Sequence, residues 1–233
     1  MMNKTGVRQT QVYFIGGTDT EVGKTFCTAA LLAAFRQKGK TALGWKPVAS
    51  EAAADGRNAD VIQLQTASGL ELPYEAHNVY TFAEATAPHL AAEDEGRAID
   101  VACLDAAFER ACGLAEVVLV EGAGGWHTPL NGSLLFSDWV AAHVLPVILV
   151  VGMKLGSINH ALLTAQAVRA AGLPLAGWIA NCITPQPHRL EDYVHTLQEH
   201  LNAPCLGVMP YLVGADAVER AGFLEVGRLS EEL

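Results

Sequence analysis

The chain has 233 residues, 51% of them hydrophobic and 17% charged, with a net charge of −10. That balance excludes a disordered chain and supplies enough apolar mass for an α/β core, while the acidic excess argues against nucleic acid as a partner, because any positive field has to be local. Five cysteines, Cys27, Cys103, Cys112, Cys182 and Cys205, show no C-x-x-C spacing, which suits a reducing, cytoplasmic compartment rather than a disulfide framework.

Residues 1–9 are polar, lack the apolar core of a secretory leader, and read as a flexible N-terminal arm. The run 12–15 is rich in β-formers and empties into Gly16 and Gly17, then Gly23-Lys24-Thr25, after which helical spacing begins at Phe26. A strand, a phosphate loop and a helix follow from that order. Glycines let backbone N–H groups approach phosphate oxygens, and the helix start attracts anions. Lys24 would reach the terminal phosphates and Thr25 would offer its hydroxyl to Mg²⁺. The loop is one residue longer between Gly17 and Gly23 than the usual motif. The plainer alternative is a glycine-rich turn with a solvated lysine.

Apolar positions at helical spacing run over 26–38 and stop at Gly39, and a strand is expected over 41–45. It leads into Lys46-Pro47-Val48-Ala49-Ser50, where Pro47 keeps Lys46 extended and sets Lys46 and Ser50 at a strand exit. Ligands of open α/β sheets gather there; a solvated loop lysine is the alternative. Residues 51–57 read as a loop. Asn58 is a candidate cap for a helix carrying Val61, Leu64 and Ala67, in which Asp60 either stabilises the first turn or points into the site as a metal ligand. Residues 73–98 read as irregular, a substrate-side lid or a surface loop.

A helix is expected over 101–114 and a buried strand over 117–120, ending in Glu121-Gly122-Ala123-Gly124-Gly125. A carboxylate at that strand tip is placed to hold Mg²⁺, unless it is an exposed turn residue. A helix over 136–143 precedes a strand over 146–151; the apolar run around it is too short to span a bilayer, so no membrane association is expected. Gly156 and Ser157 open a helix over 159–171, a second anion site. A strand over 175–180 ends at Asn181, whose amide could meet a purine edge or cap a turn. A helix over 189–201, a strand over 206–208 and a weakly patterned tail complete the chain. No zinc or serine-hydrolase motif is present. Strands alternating with helices predict a doubly wound, mainly parallel sheet flanked by helices, P-loop NTPase-like, as a single domain over 10–233.

Four stretches together, Gly17-Thr18-Asp19-Thr20-Glu21-Val22-Gly23-Lys24-Thr25, Lys46-Pro47-Val48-Ala49-Ser50, Val120-Glu121-Gly122-Ala123-Gly124-Gly125-Trp126 and Lys154-Leu155-Gly156-Ser157-Ile158-Asn159-His160, resemble the dethiobiotin synthetase family. The resemblance runs in order over 12–212. It implies a cytoplasmic ligase of biotin biosynthesis that uses ATP, Mg²⁺ and CO₂ or bicarbonate to close a ureido ring on 7,8-diaminopelargonic acid, through a carbamate and a carbamic-phosphoric anhydride. It further implies that Lys24 and Lys46 flank the reacting groups and that Thr25, Asp60 and Glu121 hold the metal. Glu21, Val22, Gly23, Lys24, Thr25 and Phe26, with Glu121, Gly122, Ala123 and Gly124, would line the phosphates; Asn181, Cys182, Pro210, Tyr211 and Leu212 would meet adenine. Thr20 and Ser50 would contact the diamine, and Ser157, Ile158, Asn159 and Tyr193 would receive the substrate carboxylate from the other subunit of a homodimer.

The rival reading is a regulatory ATPase of the partitioning or septum-placing type, which carries an extra lysine where this chain has Asp19. A cobyrinate amide synthase would need a glutaminase domain and far more chain. A purely structural or scaffold protein accounts poorly for two lysines and two acidic strand or helix ends around one loop.

Overall fold

The computed structural model describes residues 10–229, so the arm expected over 1–9 lies outside the described residues. The first β-rich run becomes β1 (Gln11–Gly17), and the glycine loop feeds α1 (Lys24–Gln37). Next come β2 (Ala42–Trp45), a two-residue β3 (Val48–Ala49), and α2 (Ala59–Ser68), whose start is capped by the Asn58 side chain accepting from the Val61 N–H. A two-residue β4 (Tyr80–Thr81), α3 (Pro88–Asp94) and α4 (Val101–Cys112) lead to β5 (Val117–Glu121). The remainder is α5 (Phe136–Ala142), β6 (Val147–Gly152), α6 (Ser157–Ala170), β7 (Leu175–Asn181), α7 (Leu190–His200), β8 (Cys205–Met209) and α8 (Ala217–Ala221).

Six of these strands form one sheet in the order β2-β5-β1-β6-β7-β8, and every pairing in it is parallel. Helices cover both faces, which is why β5 and β6 are apolar at successive positions and buried throughout. One face packs on α1, through Ala30, Leu31 and Ala34. The other packs on an aromatic cluster in which Trp45, Phe108, Phe136 and Trp139 meet edge-on or tilted. The loops at the carboxyl ends of β1, β2 and β5 therefore converge on one rim. No helix among the described residues is long and apolar enough to cross a membrane.

Two stretches differ from the sequence-based expectation. Residues 73–98 are not irregular: they hold a 3₁₀ turn (Tyr74–Ala76), β4 and α3. β4 pairs with β3 in a small parallel ribbon beside the main sheet. Two-residue strands carry no readable periodicity, so only their partners reveal them. Residues 213–229 are also ordered around α8, where Asp216 and Glu219 form a reciprocal cap.

That short helix is tied to the phosphate-loop helix by a buried arginine. Arg220 donates from Nη1 to the Phe26 carbonyl at 3.1 Å and from Nε to the Asp216 carbonyl at 3.0 Å, and its guanidinium lies 4.2 Å from the Phe26 ring centroid. Arg220→Ala is expected to cost about 2 kcal/mol, a fall of roughly 5 °C in Tm, by loss of the carbonyl bond and the ring contact. Thermal unfolding checks it, and an unchanged Tm would show that α8 is only resting on α1.

Candidate active site

The phosphate loop ends at Gly23, whose φ of +84° is a conformation glycine adopts without strain. A side chain there would also collide with the Asn181 side-chain amide. Helix α1 begins directly afterwards, with no side-chain cap and no acidic residue in its first turn. α2, α4 and α8, by contrast, are capped by Asn58, Asp100 and Asp216. The start of α1 thus keeps its unpaired N–H groups and positive dipole end for a ligand.

Lys24 lies in the first turn of α1 and is almost fully buried. Its Nζ donates to the carbonyls of Gly124 at 2.6 Å and Asp19 at 3.3 Å. Burial, aided by the charge of Lys46, brings its pKa down to about 8, although Glu121, Asp60 and Asp19 each favour the charged form. Lys46, just past β2, is as deeply buried, with Nζ 2.5 Å from Asp60 Oδ2 and 2.9 Å from Glu121 Oε1. Burial alone would pull this ammonium down too; the two carboxylates outweigh it and hold its pKa above the ordinary lysine range. Thr25 Oγ1 donates to the same Glu121 oxygen at 2.6 Å.

The backbone around Lys46 is clamped by the segment that the sequence left irregular. Lys46 N donates to the His77 carbonyl at 2.8 Å, buried Asn78 donates from Nδ2 to the Lys46 carbonyl at 2.7 Å, and Tyr80 N reaches the Pro47 carbonyl at 2.9 Å. Nothing in the residue types of 77–80 announces this, because the bonds run mainly through main-chain groups.

A cavity of about 740 Å³ opens over these groups, lined by Thr20, Glu21, Gly23, Lys24, Thr25, Phe26, Lys46, Ser50, Asp60, Ala123 and Gly124 among others. The two lysines therefore face one crevice. Glu121, fully buried, does not line the cavity but binds Lys46 and Thr25, which do, and one of its oxygens, Oε2, has no partner. The sequence reading missed Glu51, Gln63, Thr128 and the turn Ala85, Thr86, Ala87 and Pro88, which complete the wall. The turn brings the 73–98 segment onto the ligand side.

Asn181 ends β7 beside Met209 at the end of β8, and Cys182 just after it donates from its N–H to the Met209 carbonyl, so the 181–182 and 210–212 stretches come together on one rim. They do not line the cavity over the lysines. Asn181 Nδ2 donates to the Val22 carbonyl at 2.8 Å and its Oδ1 has no partner, while Tyr211 is half exposed. Val22 and Gly122 are packing positions, against Gly152 and Phe14 respectively. Ser157, Ile158 and Asn159 open α6 after Gly156, again without a side-chain cap, and Tyr193 projects from α7. They lie apart from the first cavity; Tyr193 lines a second one of about 400 Å³ with Met153, Lys154, Leu155 and His188. Buried polar atoms without partners are rare in folded proteins and mark places a ligand can satisfy. Here they include Ser50 Oγ, Glu121 Oε2, Ser157 Oγ and Asn181 Oδ1, all on residues singled out from the sequence.

The oxygens of Thr25, Asp60 and Glu121 suit a hard cation such as Mg²⁺, with the unpartnered Oε2 as the available donor. Among the described residues no cluster of three His, Cys, Asp or Glu side chains could hold a metal without such help.

The protein family described as "AAA domain" matches residues 11–218. The chain is 55% identical over 206 residues to the ATP-dependent dethiobiotin synthetase BioD 1 of Salmonella typhi, covering 87% of this chain and 90% of that protein. It is 52% identical over 206 residues to the ATP-dependent dethiobiotin synthetase BioD of Yersinia pestis bv. Antiqua (strain Angola), covering 87% of this chain and 86% of that protein. Among solved structures, the MinC:MinD cell division complex of Aquifex aeolicus superposes with a TM-score of 0.54 at 18% identity, over 91% of this chain and 86% of that one. That likeness shows the P-loop NTPase fold alone.

Lys24 yields a pH prediction. A phosphate anion beside it favours the ammonium, so its pKa in the complex rises above the value of about 8 in the free protein. Between those two values, binding takes up a proton, and nucleotide affinity falls as pH rises through about 8. Calorimetric titration with ATP in buffers of different ionisation enthalpy, at a pH just above that value, measures the uptake. Lys24→Gln should abolish it, and an uptake that persists in the variant would assign the proton elsewhere.

Proposed function

The chain belongs to the ATP-dependent dethiobiotin synthetase family and is an ATP-dependent ligase forming carbon–nitrogen bonds, and from that premise we propose how its own residues carry the reaction. The observation that supports the reading most is the pair of buried lysines facing one cavity, with the Asp60 and Glu121 carboxylates against Lys46.

The substrates are a diamine, 7,8-diaminopelargonic acid, CO₂ or bicarbonate, and ATP. One amine takes up CO₂ as a carbamate, a carbamate oxygen attacks the γ-phosphorus with loss of ADP, and the second amine closes the ureido ring and expels phosphate. The phosphoryl transfer brings two anions, carbamate and triphosphate, together, so the catalyst's task there is to place them and neutralise them. Lys24 binds the terminal phosphate oxygens, exchanging its two carbonyl partners for them. Lys46 holds positive charge where carbamate and γ-phosphate meet. The uncapped start of α1, with Glu21, Gly23, Ala123 and Gly124 around it, cradles the phosphates.

Thr25, Asp60 and Glu121 hold Mg²⁺ in this reading; when bound, the ion neutralises charge on the phosphate oxygens. Thr20 and Ser50 orient the diamine, the unpartnered Ser50 hydroxyl being free to accept from an amine. Asn181, Cys182 and residues 210–212 receive adenine, with Asn181 Oδ1 as the free acceptor. Ser157, Ile158, Asn159 and Tyr193 serve the partner chain of a homodimer, taking the substrate carboxylate at the uncapped start of α6. The enzyme works in the cytoplasm, where ATP and reduced cysteines coexist.

Purified protein given the diamine, bicarbonate, Mg²⁺ and ATP is expected to yield dethiobiotin, ADP and phosphate, read by mass spectrometry; ATP turnover indifferent to the diamine would sink the assignment. Lys46→Ala should lower kcat roughly a hundredfold with a smaller change in ATP affinity, because its charge is used chiefly in the transition state. Loss of ATP affinity with no separate loss of turnover would remove Lys46 from the chemistry.

A further inference from the structure

The phosphate loop carries an anion of its own. Asp19 lies in the middle of the loop, and its Oδ1 accepts from the N–H of Thr20 at 2.8 Å, occupying a donor of a loop built to hold phosphate. The Asp19 carbonyl accepts from Lys24 Nζ, and its carboxylate is close enough to favour the charged form of that lysine. A fixed negative charge at this place repels an incoming triphosphate. It is matched by one cation from outside the loop: Lys154, on the turn between β6 and α6, with Nζ 2.9 Å from Asp19 Oδ2. That ammonium is the largest influence holding the Asp19 carboxyl below its ordinary range. The loop is docked on the same strand through its backbone, Thr18 N donating to the Val150 carbonyl at 3.1 Å.

We propose that Lys154 is a positioning residue for nucleotide binding, which neutralises the Asp19 carboxylate so that the loop accepts a polyanion while Asp19 keeps shaping it. The pair is partly exposed, with side chains 39% and 44% accessible, so its contribution to stability is small. Its effect lies in the charge the triphosphate meets. Lys154 also lines the second cavity beside Tyr193, so it joins the nucleotide loop to the α6 face.

A charge role and a bracing role part company in a double-mutant cycle. Asp19→Asn retains an acceptor for the Thr20 N–H and removes only charge. Lys154→Met leaves the carboxylate bare and is expected to weaken Mg·ATP binding about three- to tenfold in calorimetry, an effect that shrinks with added salt. Adding Asp19→Asn to Lys154→Met should bring affinity back to within about twofold of the wild type, although neither chain then has the bridge. Both substitutions are on partly exposed side chains, and an unchanged Tm verifies folding. A double variant as weak as Lys154→Met alone, or Lys154→Met binding like wild type, overturns the proposal. So does a raised KM for the diamine at unchanged ATP affinity, which would give Lys154 to the second cavity instead. The inference rests on the assignment of this loop to ATP; failure of the wild type to bind Mg·ATP would sink both, whereas wild-type binding without rescue sinks only the role of Lys154.

Discussion

One largely buried ion cluster, open to solvent only at Asp60, organises this molecule. The Lys46 ammonium sits between the carboxylates of Asp60 and Glu121, and Glu121 also takes the Thr25 hydroxyl. Removing a fully buried partner such as Glu121 leaves an uncompensated charge, typically at a cost of about 3–5 kcal/mol. Each member comes from a different element: the exit of β2, the first turn of α2, the tip of β5 and the first turn of α1. The cluster therefore forms only when four elements are in register, and the fold and the chemistry share one condition.

Order costs something at this rim. Glu121 Oε2, Ser50 Oγ and Asn181 Oδ1 are buried without partners, and such groups carry a penalty of about 1–3 kcal/mol each in a resting protein. The same arrangement means that little has to reorganise when anions arrive, since donors, cations and an open helix end are already aimed at one space. Lys24 illustrates the balance. Its ammonium is disfavoured by burial and sits on two carbonyls that a phosphate can replace.

Much of this was legible in residue order, for physical reasons. Strands buried on both faces are apolar throughout, and so β1, β5, β6 and β7 could be read within a residue or two. Glycines beside Lys24-Thr25, a lysine before Pro47 and an acid at the end of β5 are local signals, and the structure gathers them around one cavity. The hidden parts depend on distant partners. Asp60 reads equally as a helix-stabilising residue or one that points into the site, and its place against Lys46 in the cavity wall shows only in the folded chain. The clamp of Lys46 by His77 and Asn78 passes largely through main-chain atoms. The five residues of α8 are too few to show a period, and what fixes them is Arg220 reaching Phe26, 194 positions away.

The position of β5 in the sheet bears on how the protein is born. β1 and β2 leave the ribosome first, yet they never touch as neighbours: the sheet keeps a vacancy between them that only residues 117–121 can fill. Until that late segment emerges, Lys46 and Thr25 lack the Glu121 carboxylate that joins them. The cluster around Lys46 is therefore completed only once residues 117–121 have taken their place between the two earlier strands.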